Sequence, residues 1–195
     1  MSKANYTRTK AEILEENQLV QAAKKQPRKF AALYTRYYET IFRFVFKRVS
    51  DNDLSADITQ QVFMKAMENL KRYEFRGLPF SAWLYQIARN EVAQFFRQNK
   101  HQRSISMESG QIAYLMEEME ETNSDADVQR MVKAIQLLRQ EEIEFIEMKY
   151  FERLPYREIA AIYQIQENNA KVKMHRLLKK LKKLMAQPEF QEKNI

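Results

Sequence analysis

A run of amides and cations near the C-terminal end of the chain has the side chains that bind polyanions. Asn168 and Asn169 stand at its start. The basic residues that follow are Lys171, Lys173, His175, Arg176, Lys179, Lys180, Lys182 and Lys183, and no acid lies between Ala170 and Met185. Asn pairs with adenine edges, whereas Lys and Arg bind guanine or phosphate. The segment therefore predicts contact with nucleic acid, and the net charge of +7 agrees with a polyanionic partner.

This basic segment is predicted to be the second of two helices joined by a short turn. Pro155 stands at the start of the first helix, which we expect to end near Tyr163, and the second begins near Glu167. The predicted buried stripe of the second helix is Ala170, Met174, Leu177, Leu178, Leu181 and Leu184. Such a pair is typical of a helix-turn-helix, whose second helix enters the major groove with its N-terminal residues. The predicted DNA-contacting residues are Asn168, Asn169, Lys171, Val172, Lys173, His175, Arg176 and Lys180.

Two other interpretations of the basic helix stay open at this point. On lysine count alone, a solvated lysine face is the favoured interpretation. The short turn, the start at Pro155 and the clustering of cations after a two-helix pattern shift the balance toward DNA. A basic helix lying on a membrane surface is weaker, because the apolar stripe is already needed for packing.

A second candidate site is the aromatic segment 71–96. Its aromatic residues are Tyr73, Phe75, Phe80, Trp83, Tyr85, Phe95 and Phe96, and they are interleaved with Lys71, Arg72, Arg76 and Arg89, with Arg97 just beyond. Aromatic rings stack on unpaired bases while cations follow the phosphates, so the segment could hold flipped or single-stranded bases. The alternative is that most of these rings belong to a core. We expect Phe80, Trp83, Leu84 and Ile87 in or bordering the core, and the loop residues 73–76 facing a ligand.

The elements that position these residues are predicted to be helices throughout. With only 2 Gly and 4 Pro, the composition favours long helices over turn-rich sheets. The spacing of apolar residues predicts helices at about 10–25, 28–49, 53–71, 80–99, 128–140, 141–151, 156–163 and 167–186. The predicted buried stripe of the third helix is Leu54, Ile58, Val62, Met67 and Leu70. Three amphipathic helices of this length can bury one another as a bundle.

An acidic segment separates the two groups of helices. From Glu108 to Asp127 the chain has seven acids and neither Lys nor Arg, which predicts a linker with a short helix near 112–119. The alternative is an ordinary disordered tether. The predicted fold is all-α, with an N-terminal helical bundle and a C-terminal helix-turn-helix domain joined by this acidic linker. The predicted divisions are a first domain at 1–100, the linker at 101–127, the second domain at 128–187 and a tail at 188–195.

Several classes of function are disfavoured by the composition. With 2 histidines, no cysteine and 2 distant glycines, we expect no enzyme, no metal site, no cofactor and no small-molecule substrate. The N-terminus has no apolar core for a signal peptide, and the longest apolar runs are too short to cross a bilayer. We therefore expect a cytoplasmic protein without membrane insertion.

Three runs, in this order, resemble the extracytoplasmic-function (group 4) sigma factors of the bacterial sigma-70 family. The run DITQQVFMKAMENL at 57–70 is similar to the segment of that family that binds core RNA polymerase. The run FSAWLYQIARNEVAQFFR at 80–97 is similar to the promoter −10 segment. The run LPYREIAAIYQIQENNAKVKMHRLLKKL at 154–181 is similar to the promoter −35 helix-turn-helix. The resemblance extends over about 30–184, and it implies a protein that directs promoter-specific transcription initiation.

The resemblance implies roles for individual residues. Asp57, Gln60, Gln61 and Met64 would dock on the clamp coiled coil of the largest polymerase subunit. The residues that would capture the non-template −10 strand and help to melt the promoter are Tyr73, Phe75, Arg76, Trp83, Arg89, Asn90 and Arg97. The helix from Glu167 would read the −35 duplex. The acidic linker would pass through the polymerase toward the RNA exit path, and the resemblance also implies an anti-sigma factor as a partner.

Two alternatives come from other classes of function. A helix-turn-helix transcriptional regulator would bind duplex DNA without polymerase, but it would need a sensor in the first domain, for which the sequence has no ligand-site pattern. A helical scaffold would bind only proteins, and it would show no affinity for nucleic acid even at low salt.

Overall fold

The structure is a computed structural model that describes residues 8–99, 109–119 and 124–187. The chain divides into two compact units, whose described parts are residues 8–99 and residues 109–119 with 124–187. Over these ranges the regular structure is helical and contains no strand. The prediction of an all-α chain with two small helical domains is confirmed.

The N-terminal unit is made of helices α1 (Lys10–Lys25), α2 (Phe30–Val49), α3 (Asn52–Asn69) and α4 (Phe80–Asn99). Thr9 caps α1 because its hydroxyl accepts from the Glu12 N–H, while the Glu12 carboxylate accepts from the Thr9 N–H. Asp51 caps α3 by accepting from the N–H of Leu54. These starts agree closely with the predicted helices, since each is set by a local capping residue.

The core of the N-terminal unit lies between α2, α3 and α4, which pack on one another. The fully buried residues of this core include Leu33, Ile41, Phe44, Val45, Val62, Ala66, Leu84 and Ala88. Phe80 is buried, whereas Trp83 and Ile87 are half-buried, so α4 borders the core as predicted. The predicted stripe of α3 is wrong at two positions, because Leu54 is 37% exposed and Met67 is 49% exposed.

The C-terminal unit is made of helices α5 (Ser109–Glu118), α6 (Asp125–Gln136), α7 (Gln140–Ile146), α8 (Tyr156–Tyr163) and α9 (Glu167–Met185). A π-helical turn at Glu147–Phe151 continues α7. Ser124 caps α6 by accepting from the Asp127 N–H. Helix α9 packs on α6, α7 and α8, so the basic helix is held by three neighbours.

Helix α5 lies within the segment that we predicted to be a linker. It buries Ile112, Leu115 and Met116, and it packs on α6 and on the π-helical turn. The rings of Tyr114 and Tyr150 are 6.1 Å apart across this contact. The expectation of a short helix here is met, but these residues form part of a packed unit and not a plain tether. The predicted domain divisions stay a prediction, and residues 101–108, 120–123 and 188–195 lie outside the described part of the chain.

Among the described residues, none of the helices combines the length and the apolar character that a bilayer crossing needs.

Candidate nucleic-acid interfaces

The turn between α8 and α9 sets the direction of the basic helix. Gln164 ends α8 in the left-handed conformation, with a φ of 55°. The Ile165 N–H then donates to the Ala160 carbonyl at 2.9 Å, which closes the end of α8. On α9, Ala170, Met174 and Leu181 are 0–1% exposed and anchor the helix against its neighbours. The pair therefore has the short turn and the packed second helix of a helix-turn-helix.

The outer face of the first turns of α9 is open to solvent. Asn168, Asn169 and Lys171 are exposed, and Val172 is 48% exposed. The residues predicted on the next turn, His175 and Arg176, are exposed as well. The ammonium of Lys171 forms an ion pair with Glu167 at 2.8 Å, one turn away on the same helix. These amide, cationic and methyl groups have the chemistry that reads base edges in a major groove.

Two of the predicted DNA-contacting lysines form ion pairs with glutamates in the first turn of α7. Lys173 Nζ lies 2.5 Å from Glu141 Oε1, and Lys180 Nζ donates to Glu142 Oε2 at 2.8 Å. The Lys173 ammonium also lies 4.9 Å from the ring centre of Phe145 and 5.1 Å from that of Tyr163. These lysines fasten α9 to its neighbours, and their role in binding DNA stays a prediction.

Glu142 is the buried partner in this arrangement. Its burial favours the neutral acid, but hydrogen bonds from the Lys180 ammonium and from the Arg139 N–H and guanidinium outweigh that effect and lower its pKa to about 2. The Glu142 side chain is 7% exposed, so the Lys180–Glu142 pair is screened less than one on the open surface. It is therefore a structural ion pair between α7 and α9.

The loop 73–79, which precedes α4, is buried at its start, Tyr73, and exposed to solvent in its middle, at Glu74 and Arg76. Tyr73 is 8% exposed, and its ring lies 5.3 Å from Phe80 and 5.0 Å from Trp83. Burial, with a smaller contribution from the charge of Glu16, raises the pKa of Tyr73 to about 12. The expectation that Tyr73 faces a ligand is not met in this structure, because its ring packs into an aromatic cluster. Sequence alone missed this because the ring folds back onto α4.

The middle of the loop is where a ligand could approach. Phe75 is half-buried, and Arg76 is exposed beside the Glu74 carboxylate, 3.4 Å away. Gly77 has a φ of 67°, a left-handed conformation that favours glycine and turns the chain toward α4. Phe75 and Arg76 therefore keep the exposure that stacking and phosphate contact require.

Along α4, three of the predicted residues form one line. Trp83, Asn90 and Arg97 are spaced seven residues apart, which places them on the same side of the helix. Trp83 is half-buried at the loop end of the line, whereas Asn90 and Arg97 are exposed. Arg89 is half-buried and engaged in interactions of its own. The line therefore presents an aromatic ring, an amide and a guanidinium in turn. These groups can stack on, hydrogen-bond with and neutralise a single strand of DNA.

The predicted polymerase-binding residues share one exposed face of α3. Asp57, Gln60 and Gln61 are exposed, and Met64 is 51% exposed. Leu54 and Met67 extend this face in both directions, and sequence reasoning missed them because they were assigned to the buried stripe. The α3 face, defined as Leu54, Asp57, Gln60, Gln61, Met64 and Met67, therefore combines three apolar side chains with polar ones. Such a mixture is typical of a protein-binding surface.

Within residues 8–99, 109–119 and 124–187, no three His, Asp or Glu side chains come together as a candidate metal site.

Comparison with known families matches both units of the chain. The model of sigma-70 region 2 matches residues 33–102, and the model of sigma-70 region 4 matches residues 129–181. The first match spans α2 from residue 33 onward, α3, the loop 73–79 and α4. The second begins within α6, at residue 129, and spans α7, α8 and most of α9. Together they cover more than half of the chain and include the three candidate surfaces.

Curated relatives are sigma factors. The sigma factor BldN of Streptomyces coelicolor is 24% identical over 161 residues, which are 80% of this chain and 60% of BldN. The sigma factor SigM of Bacillus subtilis is 25% identical over 154 residues, 78% of this chain and 92% of SigM. The sigma factor YlaC of Bacillus subtilis is 29% identical over 171 residues, 83% of this chain and 94% of YlaC.

Solved structures share the fold. The structure of CnrH in complex with the cytosolic domain of CnrY has a TM-score of 0.58 at 18% identity, covering 87% of this chain and 96% of that one. RpoE in complex with the anti-sigma factor NepR from Bartonella quintana has a TM-score of 0.55 at 21% identity, covering 81% and 97%. The family matches, the relatives and the fold agree: the chain belongs to the extracytoplasmic-function sigma factors of the sigma-70 family.

Proposed function

We propose that this sigma factor uses three separate surfaces to direct polymerase to promoters. The α3 face binds core RNA polymerase, the first turns of α9 read the −35 duplex, and the loop 73–79 with the line on α4 captures the non-template −10 strand. The observation that carries the proposal is the open start of α9. Asn168, Asn169, Lys171 and Arg176 are exposed there, while the opposite side of the helix is buried at Ala170, Met174, Leu177 and Leu181.

The −35 contact divides between base readout and phosphate binding. Asn168, Asn169 and Lys171 lie on the first turn and a half of α9, which is the part that enters a major groove. Arg176 lies further along and binds backbone phosphate, which gives affinity that falls with salt. Lys171 exchanges its partner Glu167 for the DNA, a small cost because the ion pair is exposed.

The −10 contact relies on the open middle of the loop. The rings of Phe75 and Trp83 stack on unpaired bases of the strand. The guanidinium groups of Arg76 and Arg97 bind its phosphates. Asn90 adds an amide that can pair with a base edge. Tyr73 supports this surface from beneath through its packing on Phe80 and Trp83. We therefore assign Tyr73 a supporting role within the −10 site.

The polymerase contact uses the α3 face. Its three exposed apolar side chains, Leu54, Met64 and Met67, lose water on docking, and Asp57, Gln60 and Gln61 supply polar contacts around them. The partner in the proposal is the clamp coiled coil of the largest subunit. We propose no reaction for the chain itself, since its task is to bind and position other molecules.

An anti-sigma factor is a further proposed partner. Its support is that RpoE, which shares the fold of this chain, was solved in complex with an anti-sigma factor. We also propose that the predicted linker passes through the polymerase, for which α5 would have to leave its packing on α6 and the π-helical turn. Two domains, at 1–100 and 128–187, remain the proposed division of function.

The experiment that tests the proposal separates it from a polymerase-free regulator and from a protein-only scaffold. Purified protein is mixed with core polymerase and with promoter fragments, and complexes are separated by size. We expect the protein to co-elute with core polymerase and to confer promoter binding on it. A protein that shifts duplex DNA alone while core polymerase never co-elutes would favour the regulator. Core binding with no DNA affinity even at low salt would favour the scaffold.

A further inference from the structure

Helix α1 holds both ends of the loop 73–79. At the first end, Lys24 Nζ donates a hydrogen bond to the backbone carbonyl of Tyr73. At the second end, Glu16 Oε2 accepts from the backbone N–H of Phe80 at 2.7 Å. Glu16 and Lys24 are two turns apart on one helix, and both precede residue 33, where the region 2 match begins. A helix that precedes the matched region therefore forms hydrogen bonds with both ends of the loop 73–79.

The Glu16 contact is buried and well satisfied. Glu16 is 1% exposed, and besides Phe80 it accepts from the Arg8 guanidinium at 2.6 Å and from the Tyr37 hydroxyl. The N–H of Phe80 belongs to the first turn of α4, where backbone N–H groups have no partner within the helix. A carboxylate at this end also interacts favourably with the helix dipole. Glu16 therefore fixes where α4 begins.

The Lys24 contact is a second, separate constraint. The Lys24 ammonium lies 5.7 Å from the ring centre of Tyr73 in addition to its hydrogen bond with the Tyr73 carbonyl. Tyr73 in turn packs on Phe80 and Trp83. Lys24 is half-buried, so its contact is protected in part from solvent. Helix α1 therefore also fixes the start of the loop, at Tyr73, through Lys24.

We infer that Glu16 and Lys24 are positioning residues that hold the loop 73–79 ready for an unpaired DNA strand before the strand arrives. The inference rests on the proposed function of the loop. Between its two fixed ends, the loop exposes Arg76 and turns at Gly77, a residue with wide conformational freedom. Ordering such a segment on binding costs conformational entropy, and fixing its ends beforehand lowers that cost. Neither residue touches the strand.

The test measures strand capture by the holoenzyme separately from polymerase binding. The probe is a fluorescent single strand that spans the −10 region of the non-template strand of a promoter mapped with this protein and core polymerase. The variants are Glu16→Ala, Glu16→Gln and Lys24→Met, and the matched controls are the exposed neighbours Glu15→Ala and Lys25→Met. Affinity for core polymerase and thermal unfolding, followed by the fluorescence of Trp83, are measured in parallel.

We expect Glu16→Ala and Lys24→Met to weaken strand binding about tenfold, the scale of one lost hydrogen bond to a charged group. Glu16→Gln should fall between Glu16→Ala and the wild type, because its amide oxygen can still accept from Phe80. Affinity for core polymerase should stay within about twofold, since the α3 face is unchanged. Amides of the loop should exchange faster with deuterium in the variants, while those of α3 should not.

The outcomes distinguish this inference from the proposal on which it rests. Phe75→Ala and Arg76→Ala are measured with the same strand, and if neither weakens capture, the proposed role of the loop fails. If they weaken capture while Glu16→Ala and Lys24→Met bind the strand like the wild type, the positioning inference is overturned. The inference would also be overturned if the variants at Glu16 and Lys24 lost affinity for the strand and for core polymerase equally and unfolded at a lower temperature. That result would indicate a general structural role for the two residues. Should Glu16→Ala fail to fold, Lys24→Met decides alone.

Discussion

Lys180 on α9 donates a hydrogen bond to the buried carboxylate of Glu142 on α7, at 2.8 Å and across 38 residues of sequence. Two turns earlier on α9, Lys173 makes the corresponding contact with Glu141. The helix that the sequence marks as a uniform cationic surface thus has two kinds of lysine. Lys173 and Lys180 hold the helix in place, and Lys171 remains on the side open to DNA.

The Lys180–Glu142 pair makes the stability of the C-terminal unit depend on pH. Because the contacts with Lys180 and Arg139 lower the pKa of folded Glu142 to about 2, below its ordinary 4.5, they stabilise the fold fully above pH 4.5. This stabilisation, on the order of 2 kcal/mol, is lost as the pH falls from 4.5 toward 2. We expect the amides of α7 and α9 to lose deuterium-exchange protection over that range. Glu142→Gln should lower protection at pH 7 and flatten the dependence, whereas Glu117→Gln, on the exposed side of α5, should do neither. Identical pH profiles for Glu142→Gln and the wild type would contradict the assignment.

The two kinds of lysine predict opposite phenotypes for neighbouring substitutions. Lys171→Ala should weaken promoter binding and lower the slope of log affinity against log salt by about 0.9 if the side chain contacts one phosphate, or change sequence preference if it contacts a base. Its thermal unfolding should not change. Lys173→Ala should destabilise the C-terminal unit by about 1 kcal/mol, because it loses an ion pair and two ring contacts. Binding isotherms at several salt concentrations and calorimetry check both, and equal effects of the two substitutions would count against the division.

Arg176 is predicted to act through the backbone of the DNA. Arg176→Ala should reduce affinity for all sequences by a similar factor and lower the salt slope, with no change in the preferred sequence. Selection of bound duplexes from a randomised −35 pool measures the preference. A changed preference for Arg176→Ala alone, with none for Asn168→Ala or Asn169→Ala, would contradict groove reading by the first turns of α9.

Helix α5 is predicted to stabilise the C-terminal unit. Leu115 is fully buried, so Leu115→Ala should cost about 2–5 kcal/mol through lost burial and a cavity. The matched control is Glu117→Ala on the exposed side of the same helix, which should be neutral within about 0.5 kcal/mol. Chemical denaturation followed by deuterium exchange of α6 measures both. If Leu115→Ala and Glu117→Ala behave alike, α5 is a tether in solution.

The α3 face is predicted to be the polymerase dock. Replacing Asp57 and Gln60 together with Ala, or Met64 with Glu, should reduce association with core polymerase at least tenfold, because docking desolvates this face. Both side chains of the double variant are exposed, so folding should be retained. The control is Glu15→Ala, on the exposed side of α1. Surface plasmon resonance with immobilised core polymerase gives the affinities, and unchanged binding of both α3 variants would remove the proposed dock.

The helices could be predicted closely because their signals are local. Pro155 lies directly before α8, so the start of this helix follows from a neighbouring side chain. The apolar spacing of α2 likewise identifies its buried side, with Leu33 and Ile41 fully buried. The helix near 112–119 was also predicted, but its packing was not, since seven acids outweighed its apolar residues in the composition of the segment.

The parts of the candidate sites that were missed depend on contacts between distant residues. Lys173 and Lys180 find their partners 32 and 38 residues away, and Glu16 meets Phe80 across 64 residues. Such pairings leave no periodic pattern in the sequence. The exposure of Met67 was missed for another reason, since an apolar residue near a buried stripe is assigned to the core by default.

We expect this protein to enable core polymerase to start transcription at specific sites. The most direct measurement is transcription of fragmented genomic DNA of the host by core polymerase, with and without the protein, followed by sequencing of the 5′ ends of the RNA. We expect a set of start sites that require the protein, that share two upstream elements, and that are used less with Arg176→Ala or with the α3 double variant. Transcripts that are identical with and without the protein, despite stable binding to core polymerase, would contradict it.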